Sequence, residues 1–131
     1  MLETILCIDD DPITLMLSKM VISKAFFSNE IATAKNGEEA LQYFDTIKKT
    51  NSINKIQLVF LDLNMPLMDG WEFLNSFNTS EYAEFHNIKI IILSSTIDPE
   101  DLAKSKKYPM VIDFLPKPIS KEILEFLKPK I

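Results

Sequence analysis

The strongest constraint on this chain's fold is an alternation. Short apolar, β-branched runs take turns with helical patterns that open on recognisable caps. The runs are Ile5 to Ile8, Ile31 to Ala34, Ile56 to Leu61, Ile88 to Leu93 and Val111 to Leu115. They read as buried strands. Asp11-Pro12 offers an N-cap with proline at the first helical position, and Ile13, Met16, Leu17 and Met20 then fall on one face. Asn36 with Glu39, and Asp69 with Glu72, have capping-box spacing. Asp98-Pro99 repeats the first device before Leu102, and Ser120 opens a last helix carrying Ile123, Leu124 and Leu127. Lys48 to Lys55 reads as a polar loop. Thr79 to Asn87 reads as an extension of the third helix or as irregular chain. Strands that alternate with helices imply an α/β fold, a parallel sheet covered on both faces and joined by right-handed crossovers.

Ligands of an open parallel sheet bind beyond the carboxyl ends of its strands. Here those ends are Asp9-Asp10-Asp11, Asp62, Ser94-Ser95-Thr96 and Pro116-Lys117-Pro118. Carboxylates gathered at one rim repel one another unless a cation sits among them. Lys117 supplies one charge, and a divalent ion would supply the rest. Mg²⁺ suits an all-oxygen set, whereas calcium wants more ligands and the EF-hand spacing is absent. Zinc is disfavoured, since His86 and Cys7 stand alone. Mg²⁺ with a lysine and a hydroxyl makes a phosphate cradle, and a carboxylate can itself be the nucleophile. Asp62 is the candidate, because it ends the most continuous apolar run.

Composition narrows the classes. The chain has 131 residues, suited to one domain over 1–131, and a formal net charge of −5. Its 14 basic residues are all lysines. That argues against a nucleic-acid surface and against a polybasic membrane anchor. No apolar run reaches the length of a membrane span. The cytoplasm is the expected compartment. The single cysteine excludes an internal disulfide.

Four segments together resemble the response-regulator receiver family of two-component signalling. They are Ile5 to Asp11, Leu61 to Gly70, Ile92 to Ser95 and Phe114 to Pro118. The resemblance covers essentially the whole chain. It implies a three-layer, doubly wound (βα)5 fold of flavodoxin-like type, with strand order 2-1-3-4-5. It implies Asp62 as phosphoacceptor, and Asp9 and Asp10 as the acidic pair that holds Mg²⁺ with the Asn64 carbonyl. Ser94 and Lys117 fall on the positions that contact the phosphoryl group, and Phe114 on the switch aromatic that swings inward. Asn64 and Thr96 fall where the family tunes phosphate lifetime.

The implied donor is a phosphohistidine on a sensor histidine kinase or a phosphotransfer protein. The implied output is a change in the helix 4, strand 5, helix 5 face that reaches a partner protein. Members often dimerise through that face. Such a protein is not an enzyme beyond its own phosphorylation and dephosphorylation. No output domain follows the receiver pattern, so the expectation is a single-domain regulator or a fragment of a larger kinase or regulator. A haloacid-dehalogenase-like phosphatase would also use an aspartyl nucleophile, but it wants a second Asp where Asn64 stands. A flavin carrier would want a hydroxyl- and glycine-rich loop where the acids of the first strand stand.

Overall fold

The computed structural model describes residues 2–50 and 56–131. Five strands form one parallel sheet: β1 (Leu2–Ile8), β2 (Ser28–Ala34), β3 (Ile56–Asp62), β4 (Lys89–Ser94) and β5 (Val111–Pro116), in the order β2-β1-β3-β4-β5. The helices are α1 (Pro12–Lys24), α2 (Gly37–Thr50), α3 (Gly70–Phe77), α4 (Pro99–Ser105) and α5 (Lys121–Leu127). Two 3₁₀ turns lie at Ser80–Phe85 and Lys128–Lys130. Both the strand order and the alternation agree with the sequence.

The middles of the three central strands are apolar on both sides because both sheet faces are covered. Leu6, Ile8, Val59, Leu61, Ile90 and Ile92 point to one side, where Phe44 of α2 and Phe73 and Phe77 of α3 pack. Ile5, Cys7, Leu58, Phe60, Ile91 and Leu93 point to the other, against Ile22 of α1 and Leu124 and Leu127 of α5. Strand β2 is an edge, and only Ala34 of it is buried. This explains its weak signal in the sequence.

The caps form as their spacing predicts. Asp11 accepts from the Ile13 amide at 2.9 Å, and Asp98 from Glu100 at 2.9 Å. Asp69 and Glu72 complete a reciprocal capping box. At α2 the box is displaced: Asn36 accepts from the Glu39 amide at 2.8 Å, but the Glu39 carboxylate reaches the amide of Lys35 rather than that of Asn36.

Three readings change. Lys48 to Thr50 are helical, because lysines suit a helix C-terminus and the Lys48 ammonium reaches the Glu81 carbonyl at 2.6 Å; Asn51 to Lys55 lie outside the described residues. Thr79 to Asn87 does not extend α3: Ser80–Phe85 form a 3₁₀ turn pinned by buried Tyr82, whose hydroxyl donates to Asp45 at 2.9 Å, and only the flanking residues are irregular. On α1, Ile13, Met16, Leu17 and Met20 form the exposed face, while Ser18 and Ile22 are buried with Leu15 partly so. That helix is apolar nearly all round, so its periodicity alone does not choose a face.

Helix α1 ends in a Schellman turn. Phe26 donates to Ser23 and Phe27 to Ile22, with Phe26 at φ 50°. Among the described residues, no helix is long and apolar enough to cross a membrane.

Candidate functional site

Strand register levels the site. Ile8 pairs with Leu61, so Asp9 and Asp62 emerge side by side from adjacent strands. Asp62 pairs with Leu93, which puts Ser94 one step further along the neighbouring strand. Ser94 pairs with Pro116, and its carbonyl accepts from the Lys117 amide at 2.9 Å. Four chain segments distant in sequence are thereby fastened at one rim.

Three carboxylates converge there. Asp9, Asp10 and Asp62 each place an oxygen within 4.8 Å of the others, and they form the only such group among the described residues. Asp9 and Asp62 are buried, while Asp10 is exposed. Lys117 bridges the two buried acids, with its Nζ 2.6 Å from Asp9 Oδ2 and 3.2 Å from Asp62 Oδ1. Asp9 also accepts from the Asp11 amide at 3.0 Å. Asp11 itself turns away to cap α1, as the sequence suggests.

Burial pushes the Asp62 carboxyl above the usual carboxylate range, and the charge of Asp9 adds to this. Lys117 and the Asn64 amide oppose the rise without cancelling it. Burial alone would lower the Lys117 ammonium, but its two carboxylate partners more than offset that and hold it above its ordinary value. The pocket beside these groups is lined by Cys7, Thr14, Ser18, Phe60 and Ile119.

The other predicted residues are placed less centrally. Ser94 is buried, and its Oγ lies 3.4 Å from the Thr96 amide. Asn64 and Thr96 are exposed on the loops after β3 and β4. Phe114 is already inward, 5% exposed in the cluster with Ile92 and Met110. His86, far from the acidic rim in sequence, is half-buried, with its Nε2 2.9 Å from the Phe77 carbonyl.

Two glycines shape the site: Gly70, which the sequence marks only as the end of a turn-and-cap segment, and Gly37, which it does not single out. A Cβ on Gly70 would lie 2.6 Å from the Asp62 carbonyl oxygen, and its amide donates to Leu63 at 2.9 Å. Gly37 donates to the Met68 carbonyl at 2.9 Å and bounds the same loop from the other side. The available signal was scarcity, since the chain has only 2 glycines.

Hard oxygen donors from two adjacent strands, at mutual distances a small ion can draw together, fit Mg²⁺. A divalent cation among them would also reverse the upward pressure on Asp62.

The family model for the response regulator receiver domain matches residues 5–127. A two-component response regulator from Cytophaga hutchinsonii superposes with a TM-score of 0.88 at 26% identity, covering 98% of this chain and 96% of that one. The nitrate/nitrite response regulator protein NarL of Escherichia coli K12 is 30% identical over 79% of this chain, which is 43% of NarL. A protein-glutamate methylesterase/protein-glutamine glutaminase of Methanospirillum hungatei JF-1 is 29% identical over 77% of this chain, but that is 25% of its own length. The chain spans less than half the length of each of these two relatives.

Proposed function

The chain belongs to the response regulator receiver domain family of two-component signalling, and from that premise we propose that it is switched by a phosphoryl group accepted on Asp62. The observation that carries the reading is the placement of Asp62: a buried carboxylate at the end of a central strand, beside two further acids and 3.2 Å from Lys117.

An oxygen of Asp62 attacks the phosphorus of a phosphohistidine. The P–N bond breaks, and its electron pair leaves with the imidazole of a histidine kinase or phosphotransfer protein. Asp9, Asp10, Asp62 and the Asn64 carbonyl would hold Mg²⁺, which when bound neutralises charge on the transferring group. Lys117 is freed from its bridge between Asp9 and Asp62 to pair with the phosphoryl oxygens. The Ser94 hydroxyl donates to the same group from the neighbouring strand. Asn64 and Thr96, exposed at the rim, flank the path of the water that later hydrolyses the acyl phosphate.

The product carries about −1.5 to −2 charges where a single carboxylate stood. Drawing Ser94 towards it displaces the loop that leads into α4. The α4–β5–α5 face then changes for a downstream protein, with Phe114 repacking beneath it. A homodimer through that face is a further candidate output. Turnover of an external substrate is not part of the reading.

Incubation with acetyl phosphate and Mg²⁺ is expected to add one phosphoryl group to the wild type by intact mass, and none to Asp62→Asn. Equal labelling of the two proteins overturns the assignment.

A further inference from the structure

The helices of a parallel sheet run back against its strands, so their C-termini lie at the pole opposite Asp62. Lysines collect there. Lys24 closes α1, Lys48 and Lys49 close α2, Lys104 closes α4 and Lys128 caps α5. The acids of the rim and the first-turn acids of α2 to α5 lie at the other end. The sequence shows no polybasic anchor; folding gathers separated lysines into a basic pole. Helix macrodipoles favour that placement by themselves. They do not account for the aromatic ring that stands beside it.

Phe26 lies at this pole, two residues after Lys24, where a helix-ending turn usually has glycine. Its φ is 50° and its side chain is 75% exposed, so strain is kept with little packing in return. Beside it runs an open groove of about 230 Å³, lined by Leu2, Phe26, Phe27, Lys128 and Ile131. Among the described residues neither Lys24 nor Lys128 forms an ion pair, whereas Lys130 is held by Asp113 at 2.9 Å. Glu3, Glu30 and Glu125 are the acids nearest these residues in sequence, and all three are exposed. Lysine stems reach beyond those shorter side chains and present their charge first to a flat surface.

An apolar ring raised among unpaired lysines suits a surface that is negatively charged outside and apolar beneath. Point charges without a guanidinium fork suit mobile headgroups better than a fixed carboxylate partner. The net charge of −5 does not oppose this. Strand β1 has 7 residues, which at about 3.3 Å each puts the acidic rim roughly 23 Å from the pole, against a Debye length of about 8 Å at physiological salt. We propose that this pole docks on an anionic phospholipid surface, with Phe26 entering the headgroup boundary and Lys24 and Lys128 meeting the headgroups. The rim that carries Asp9 and Asp62 then faces away from the lipid.

The test is sedimentation with sucrose-loaded phosphatidylcholine vesicles, with and without phosphatidylglycerol, at low and at high salt. The wild type is expected to sediment with the phosphatidylglycerol vesicles at low salt, to leave them at high salt, and to ignore pure phosphatidylcholine. Lys24→Gln and Lys128→Gln are each expected to weaken partitioning about five-fold. Phe26→Gly is expected to weaken it about ten-fold or more. The denaturant midpoint of Phe26→Gly should rise at the same time, so that weaker binding cannot come from a weaker fold. The proposal is overturned if the wild type stays in solution with phosphatidylglycerol vesicles at low salt, or if Phe26→Gly sediments as well as the wild type. Binding to soluble polyglutamate as tight as to vesicles, and unchanged in Phe26→Gly, would turn the pole to an acidic polypeptide and overturn it equally.

Discussion

The Lys117 ammonium stands between Asp9 and Asp62, 2.6 Å from one carboxylate and 3.2 Å from the other. It holds together two buried acids that would otherwise repel. Removing it leaves both charges short of a partner. Lys117→Met is therefore expected to lose about 1–3 kcal/mol of stability in urea unfolding with a chelator present. Added Mg²⁺ should recover part of the loss, and phosphorylation should still fail to propagate to the α4–β5–α5 face. A variant as stable as the wild type in chelator would show that the bridge contributes nothing.

Asp62 carries the opposite sign. Its carboxyl is raised in the folded state, by burial first and by Asp9 second. Ionised Asp62 therefore costs the fold stability once the pH exceeds the unfolded value. Asp62→Asn removes that charge at nearly constant shape, and its melting temperature without divalent cations is expected to exceed that of the wild type at neutral pH. The difference should shrink on acidification, as the wild-type carboxyl takes up its proton, and also on adding Mg²⁺.

Gly70 leaves no room for a side chain, since an added Cβ would meet the Asp62 carbonyl at 2.6 Å and the Leu63 Cα at 2.9 Å. Both obstacles are backbone, so the strand end itself must move. Gly70→Ala is expected to cost about 1–3 kcal/mol and to slow labelling by acetyl phosphate, because it displaces Asp62. Unfolding curves and labelling rates measured on one preparation check both effects.

Phe26 is 75% exposed at φ 50°. Its left-handed conformation costs roughly 1–2 kcal/mol, while glycine brings back roughly 0.5–1 kcal/mol of unfolded-state freedom. Phe26→Gly is thus expected to stabilise the fold by about 0.5–1 kcal/mol, read as a higher denaturant midpoint at unchanged slope.

Cys7 is 3% exposed, and burial with help from Asp9 pushes its thiol up from 9.0 to about 12. The thiol should resist a thiol reagent in the folded protein and react fully on denaturation. A group raised in this way supports the fold fully below its unfolded value and loses that support as the pH climbs towards the folded one. Stability should therefore decline between about pH 9 and 12, and less steeply in Cys7→Ala.

The sequence by itself settled the sheet and its helices, because strand periodicity, Asp-Pro starts and capping spacings act over a few residues. It also named the acids and the lysine, since strand ends in a parallel α/β fold face one rim. Local pattern did not set distances. That Lys117 bridges Asp9 and Asp62 depends on four strands being in register, which only long-range pairing fixes. The buried face of α1 was decided by what β1, β3 and α5 offered it, leaving Met16 and Met20 in solvent. The loop after Asp62 is tied at both ends by amides of Gly37 and Gly70, which donate to Met68 and Leu63, and the sequence does not show those pairings. Short-range chemistry wrote the parts into the chain, and close packing of distant segments chose their geometry.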